Sequence, residues 1–261
     1  MAPAVKEVGT SCPELPEPVN RRVPLHVDME GLRSLAKVPL FQGLDPDQLR
    51  AVYEGSTYKK KGANEVVFRQ GQEARWSYVL LRGRLKVAQS SPDGHQILNR
   101  YVGPEEMFGC VLLYRSHRYP ATATTVSPSV VLAWDRDALY RMLECFPRVA
   151  LNALELLGEE LAMVRSRYLE LATERVERRV ARALLRLAEK SGKADRHGVE
   201  IAFPVSRQDL ADLTGTTLHT VSRILSGWRQ QGWIESARRR IKVHDPSVLR
   251  SIAEDDRPLH T

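Results

Sequence analysis

From Ala150 to Leu171 one set of apolar residues, Ala150, Leu154, Leu157, Leu161, Val164, Tyr168 and Leu171, recurs with spacings of four and three in strict alternation. A strand alternates faces every second residue and cannot gather that set, whereas an α-helix lines it up along one side. Three such heptads, flanked by Glu155, Glu159, Glu160, Arg165, Arg167 and Glu170, form an a/d seam. A helix packed on its own domain needs a broader apolar stripe than this. Pro147, suited to the first helical position, opens the segment. The spacing therefore predicts a long helix whose Leu154, Leu157, Leu161, Val164, Tyr168 and Leu171 meet a second copy of the chain.

Upstream, between Gly62 and Trp134, the texture is different. Glycines at 62, 71, 83, 94, 103 and 109 separate short runs rich in β-branched and aromatic residues: Glu65–Phe68, Tyr78–Leu81, Leu85–Val87 and Ile97–Val102. Pro92-Asp93-Gly94 is a turn, with φ fixed at proline and free at glycine. Short strands at this spacing predict one antiparallel sandwich or small barrel. Ahead of them, Asp45-Pro46 reads as a helix start, the carboxylate capping and Leu49 and Val52 facing inward. The first 28 residues, with Pro3, Pro13, Pro16, Pro18 and Pro24 and no periodicity, read as a flexible extension.

Several classes are excluded. With 43 % apolar and 27 % charged residues the chain has globular composition, not that of a disordered, collagen or mucin chain. No apolar run approaches the ~18 to 20 residues of a membrane span; the longest uncharged stretch, Tyr119 to Trp134, is broken by Thr, Ser and two prolines. Met1 to Val23 carries Lys6, Glu7, Glu14, Glu17 and Arg21 and lacks the apolar segment of a secretory signal. Cys12, Cys110 and Cys145 lie far apart, with no CxxC pair and no disulfide framework. A cytoplasmic location without membrane contact is expected. No Walker loop, Gly-x-Gly-x-x-Gly, His-Glu-x-x-His or nucleophile elbow points to an enzyme.

The charge distribution points to nucleic acid. Of the net +7, most sits beyond Ala172, where 17 Lys and Arg face 12 Asp and Glu. Within that third, Arg207 to Ser226 reads as helix, turn, helix. Ser206 caps the first helix with Asp209 three residues on, Leu210 and Ala211 allow close approach, and Gly215 permits the turn. Val221 and Ile224 then bury the second helix. That second helix exposes Thr216, Thr217, His219, Thr220, Ser222 and Arg223 at or near its start, the end that meets base edges in such motifs, while Ser206, Arg207 and Gln208 lie at the start of the first. Trp233–Glu235 and Arg240–Val243 form two strands joined by Ser236–Arg240, a wing whose Arg238, Arg239 and Arg240 suit phosphate.

Together these segments resemble the Crp/Fnr family of bacterial transcription regulators over about residues 32–250. The matches are Val38-Pro-Leu-Phe41 with Gly43-Leu44, Phe68-Arg-Gln-Gly71, Leu81-Arg-Gly83, Pro92-Asp-Gly94, Ser206-Arg-Gln-Asp-Leu-Ala211 and, above all, Leu213 to Leu225. The resemblance implies an α+β fold: an antiparallel β-roll sensor (29–146), a dimerisation helix (147–173) and a winged helix-turn-helix (174–250). The extension 1–28 and a tail 251–261 flank them. It also implies a homodimeric, sequence-specific activator that binds a palindromic operator in double-stranded DNA and works with RNA polymerase. Arg223 matches the family's recognition arginine, whose guanidinium bonds guanine O6 and N7. His219 stands where many members carry glutamate, so a different half-site is expected.

By the same resemblance the effector pocket comprises Gly109, Cys110, Val111, Arg118, Tyr119, Pro120, Ala121 and Thr122. Cyclic-AMP-binding members have a Gly-Glu pair and an Arg-Ser pair there; this chain has Gly109-Cys110 and Tyr119-Pro120, with Arg118 one position away. Cyclic AMP is thus disfavoured as ligand. An iron–sulfur cluster needs four thiolates, three near the N-terminus, where only Cys12 stands. Tyr119–Thr122 and Thr217–Arg223 look closest to the nitrogen-oxide-responsive branch, which implies haem and a gas effector, nitric oxide or carbon monoxide. His26, His95, His117 and Cys110 are the candidate axial ligands. The competing readings are an effector-independent or cyclic-nucleotide-responsive DNA binder of the same fold.

Overall fold

A computed structural model describes residues 29–110, 117–237 and 239–254. The chain enters through helix α1 (Met29–Ala36), a 3-10 turn at Pro39–Phe41, and helix α2 (Pro46–Glu54). Asp45 caps α2 as its sequence requires: one carboxylate oxygen accepts from the backbone N–H of Asp47 and Gln48 at 3.0 and 2.9 Å. The Gln48 side chain returns the bond to Asp45 N–H at 3.1 Å. Val52 is buried and Leu49 packs on the core beside it.

Eight short strands follow: β1 (Thr57–Lys61), β2 (Val66–Phe68), β3 (Trp76–Arg82), β4 (Leu85–Ser90), β5 (Gln96–Val102), β6 (Met107–Phe108), β7 (Thr122–Thr125) and β8 (Ser129–Asp135). They form two antiparallel sheets, in the orders β1-β8-β3-β6 and β2-β7-β4-β5. β3 and β8, central in the first sheet, are nearly continuous apolar runs because both of their faces are covered. β1, which the sequence pattern missed, is an edge strand reading Thr-Tyr-Lys-Lys-Lys. Lysines on an edge discourage further pairing, and they also remove the apolar signature by which a strand is found. The Trp134 indole closes the roll onto the entry helices by donating to Val52 O at 2.9 Å.

Helix α3 (Arg136–Cys145) is capped by Asp135 and leads into α4 (Pro147–Thr173), 27 residues long with Pro147 in its first turn. Val149 and Asn152 anchor the start of α4 in the core. The Asn152 amide donates to Leu40 O at 2.9 Å and Gln42 O at 2.8 Å, satisfying two carbonyls of the 3-10 turn region. Beyond that anchor Ala153 and Leu156 still pack on the core, and the apolar residues from Leu157 to Leu171 are exposed.

The C-terminal unit begins with α5 (Val176–Ser191), whose Arg179 guanidinium is buried and donates to Thr214 O at 2.9 Å and Glu174 O at 2.7 Å. Where the sequence reading had only helical segments before Ser206, the structure has a hairpin, β9 (Gly192–Asp195) and β10 (Gly198–Ile201). After α6 (Arg207–Thr214) and α7 (Leu218–Gln230) come β11 (Ile234–Ala237), β12 (Arg240–Val243) and α8 (Pro246–Glu254). The wing is therefore a four-stranded sheet, β11-β12-β10-β9, and not two strands. β11 lies one to two residues later than the sequence suggested, so the connection at the wing tip shortens to residues 238 and 239. The architecture is α+β: a β-roll, long helices and a C-terminal winged helix-turn-helix.

The two halves share a boundary. Ala88, Leu98 and Tyr101 of β4 and β5 belong to the core that also contains Leu210, Val221 and Trp228. Tyr101 packs on Phe203 with ring centroids 4.6 Å apart, and Arg84 lies over the same ring at 4.5 Å. The Lys86 ammonium reaches the buried Asp209 carboxylate at 3.2 Å.

Candidate DNA-reading and effector sites

The reading element follows from local chemistry. Ser206 accepts from Asp209 N–H at 3.0 Å and Asp209 accepts from Ser206 N–H at 2.9 Å, the reciprocal cap expected. Gly215 ends α6 at φ 61°, in the left-handed region that favours glycine. An added Cβ there would also lie 2.7 Å from the Leu171 side chain, so the turn is tight against the end of α4. Leu210, Ala211, Val221 and Leu225 are fully buried between the two helices. Leu225 takes the place the sequence reading gave to Ile224, which is half-buried. Thr217 caps α7 by accepting from Thr220 N–H at 3.2 Å.

With Val221 and Leu225 inward, His219 and Arg223 project together on the exposed face of α7, four residues apart. Thr217 is exposed, and Thr216, Thr220 and Ser222 are half-buried around them. The remaining candidates differ in availability. Ser206 is consumed by its cap, its hydroxyl donating to Asp209 at 2.6 Å, and the Gln208 amide donates to Asp212 at 2.7 Å. Arg207 is half-buried. In the wing, Arg240 pairs with Glu200 at 2.8 Å, while Arg239 is exposed at φ 70°. Val205 N–H donates to Arg239 O at 2.9 Å and ties the wing tip to the loop entering α6. Arg238 lies outside the described residues.

The α4 seam is fully on view. Leu154 is 65 % exposed, Leu161 62 % and Tyr168 72 %, with Leu157, Val164 and Leu171 exposed as well. A contiguous row of this kind marks an interaction face.

The effector residues spread out more than the sequence suggested. Gly109, at φ 69°, is crowded by aromatic rings: an added Cβ would meet Phe68 at 3.0 Å and Tyr78 at 3.1 Å. Tyr119 is buried and stacked on Phe68, centroids 3.8 Å apart, its hydroxyl donating to Trp76 O at 2.6 Å. Ala121 is buried, Thr122 half-buried and accepting from Gln70 N–H, and Pro120 exposed. Arg118 is exposed and donates to Gly71 O at 2.7 Å, turned to the roll's outside. Cys110 is half-buried; desolvation pushes its thiol up to about 11 against the pull of Arg100. His95 and His117 are both exposed, and Val111 and His26 lie outside the described residues. Sequence reasoning named Arg167 only as a flank of the α4 seam and gave no site role to Lys86, Arg100, Tyr101 or Phe203. The local hints were charges inside apolar runs: Lys86 within Leu85–Val87 and Arg100 within Ile97–Val102.

Comparison with known proteins decides the family. The Crp-like helix-turn-helix domain matches residues 178–252, and the cyclic nucleotide-binding domain matches residues 58–145. The transcriptional regulator LdrP of Thermus thermophilus is 34 % identical over 193 residues, covering 73 % of this chain and 94 % of its own. This chain belongs to the Crp/Fnr family. The regulator is also similar to the CRP-like cAMP-activated global transcriptional regulator of Mycobacterium tuberculosis, 26 % identical over 215 residues, covering 82 % of this chain and 96 % of that one. Among solved structures, a CRP-family transcriptional regulator from Thermus thermophilus superposes with a TM-score of 0.61 at 30 % identity, over 75 % of this chain and 96 % of that chain. It is thus a DNA-binding transcription regulator with an effector-binding domain, in a family of regulators and not of enzymes. Among the described residues no helix is long and apolar enough to cross a membrane.

Proposed function

We propose that this regulator is a homodimeric activator, joined along the exposed α4 seam, that reads a palindromic operator with α7 and answers to a small effector at the β-roll. RNA polymerase is its partner at the promoter. The observation that carries the reading is the pairing on α7: His219 and Arg223 free on one face, Val221 and Leu225 buried on the other. Arg223 bonds guanine in the major groove, and Arg239 contacts phosphate from the wing. Two copies related by a two-fold axis place two such helices about 34 Å apart.

The relative named as cAMP-activated suggests cyclic AMP, but among the described residues of the loop 109–122 the one arginine, Arg118, is exposed and donates to Gly71 O. Haem, nitric oxide and carbon monoxide rest on donor type alone. His95 and His117 are solvent-facing, and Cys110 is half-buried. The two exposed histidines do not fit a buried haem.

Selection of binding sites from a random duplex library tests the function. The expected winner is a two-fold site with a guanine in each half. Arg223→Ala is expected to weaken binding about tenfold per half-site and to relax that position. Enrichment of a single, asymmetric half-site, or no loss with Arg223→Ala, overturns the reading. Titration with haem is expected to give a broad, non-saturating Soret band; a sharp stoichiometric band that shifts with gas restores the haem expectation.

A further inference from the structure

A cavity of about 260 Å3 lies where the β-roll, α4 and the DNA-reading unit meet, apart from the residues around Gly109–Thr122. Its walls come from Arg84, Arg100 and Tyr101 of the roll, from Met163, Arg167 and Glu170 of α4, and from Arg186, Lys190 and Phe203 beyond. Five of the lining side chains are cations. The carboxylates that reach them are Glu106, against Arg100 at 3.3 Å and Lys190 at 3.8 Å, Glu170, against Arg186 at 2.9 Å, and Glu160 near Arg167. Two positive charges are left over in a recess with aromatic and aliphatic sides.

That surplus is costly where it stands. Burial lowers the pKa of Arg84 and of Arg167, and for Arg167 the neighbouring Arg186 lowers it further. Arg84 faces the ring of Phe203 at 4.5 Å and shares the charge of Glu106 with Arg100 and Lys190. Arg167 spends one N–H on Asn99 O, a neutral acceptor. A doubly charged oxyanion accepts bidentate bonds from guanidinium forks and cancels the excess.

We infer that this junction cavity binds a small organic oxyanion carrying two negative charges, its charged end among Arg84, Arg100, Arg167 and Lys190 and its apolar body against Tyr101 and Phe203. None of the residues around Gly109–Thr122 lines this site, but Arg100 of its wall also acts on the Cys110 thiol. At 100° per residue, Met163 and Glu170 sit roughly 130–150° round α4 from the centre of the Leu157–Tyr168 seam, and Arg167 about 90° from it, on the seam's flank. Because its walls belong to both halves of the chain, an occupant binds only when those halves are together and therefore stabilises that arrangement.

Phosphate and dicarboxylate share this chemistry, so phenyl phosphate and phthalate are the probes, titrated calorimetrically into the full-length protein at fixed ionic strength. One saturable site per chain is expected for at least one of them, and the stronger binder assigns the anionic group. Arg167→Gln and the more exposed Lys190→Gln are each expected to weaken it about tenfold or more. Arg223→Ala, on the DNA-reading face, is expected to leave it unchanged. Non-saturable heats with both probes, or binding lost in Arg223→Ala and kept in Lys190→Gln, overturns the site. Neither outcome touches operator binding without ligand, which is measured in parallel and reports on the DNA-reading function alone.

Discussion

Leu161 on α4 offers a quantitative test of the dimer seam. It is 62 % exposed in the single chain, and a fully buried leucine gains roughly 1.5–3 kcal/mol. Covering the remainder is then worth on the order of 1–2 kcal/mol per protomer, or about 2–4 kcal/mol for a symmetric pair. Leu161→Arg forfeits that gain and sets two like charges against each other across the axis. At about 1.4 kcal/mol per tenfold, the dimer constant should weaken by roughly 30- to 1,000-fold. An arginine stem that snorkels sideways keeps the effect near the lower figure. Leu169 supplies the control: it is 60 % exposed, almost as much as Leu161, but lies about 100° round the helix from Tyr168. Leu169→Arg should leave the dimer within a factor of about three. Sedimentation equilibrium over a wide concentration range measures both, with urea melts to show that each variant folds. Equal effects from the two substitutions, or none from Leu161→Arg, refute the seam and make the exposed row of α4 a binding face for something else.

Lys86 and Asp209 join the two halves, so a double-mutant cycle of Lys86→Met and Asp209→Asn should show a coupling of about 0.5–2 kcal/mol in urea unfolding; strict additivity refutes the contact. Burial works against the Asp209 carboxylate, but the hydrogen bonds from Ser206 and the charge of Lys86 outweigh it and hold the pKa below the ordinary value. Its stabilisation is therefore present above about pH 4 and lost as pH falls further, so Asp209→Asn should flatten the acid limb of the stability curve. Arg239 occupies a left-handed conformation that glycine tolerates better, so Arg239→Gly should raise stability by about 1 kcal/mol while weakening operator binding and lowering the salt slope by roughly one. An unchanged slope removes Arg239 from the phosphate contacts. Cys110, with its thiol up to about 11, should react slowly with iodoacetamide near pH 8 and faster as pH rises toward that value; rapid labelling near pH 8 contradicts its desolvated setting.

What could be read from the sequence follows a physical divide. The cap at Asp45, the Pro147 helix, the Ser206–Asp209 box and the Gly215 turn are settled within a few residues of chain, and the structure has each where its local chemistry puts it. Strands β3 to β5 were legible because burial imprints apolar runs on them. β9 and β10 were not: Gly192–Asp195 is nearly all small or charged, and β10 is a strand because it lies against β12, some 40 residues away. The candidate effector residues show the same divide. Cys110 and Tyr119 were found by their place in a motif, but Arg118 turning outward depends on Gly71 O, 47 residues distant.

The contacts between the halves were illegible for the same reason, and they change how α4 must be understood. Asp209 reads in sequence as a helix cap and nothing more; in the fold its second carboxylate oxygen holds Lys86 of β4. The first helix of the reading motif is thereby fastened to the sensor by a group that also starts that helix. α4 takes part on two sides, with its seam exposed for a partner and its flank closing the basic cavity against α5 and β5. Leu171, at the end of the exposed row, lies against Gly215 of the reading turn, so a shift of α4 along its axis would disturb that turn. A ligand moves such a system only by the difference between its affinities for the two arrangements. Lys86–Asp209, Arg84–Phe203 and Leu171–Gly215 belong to the arrangement seen in the structure, and they are the contacts an effector must outweigh or reinforce.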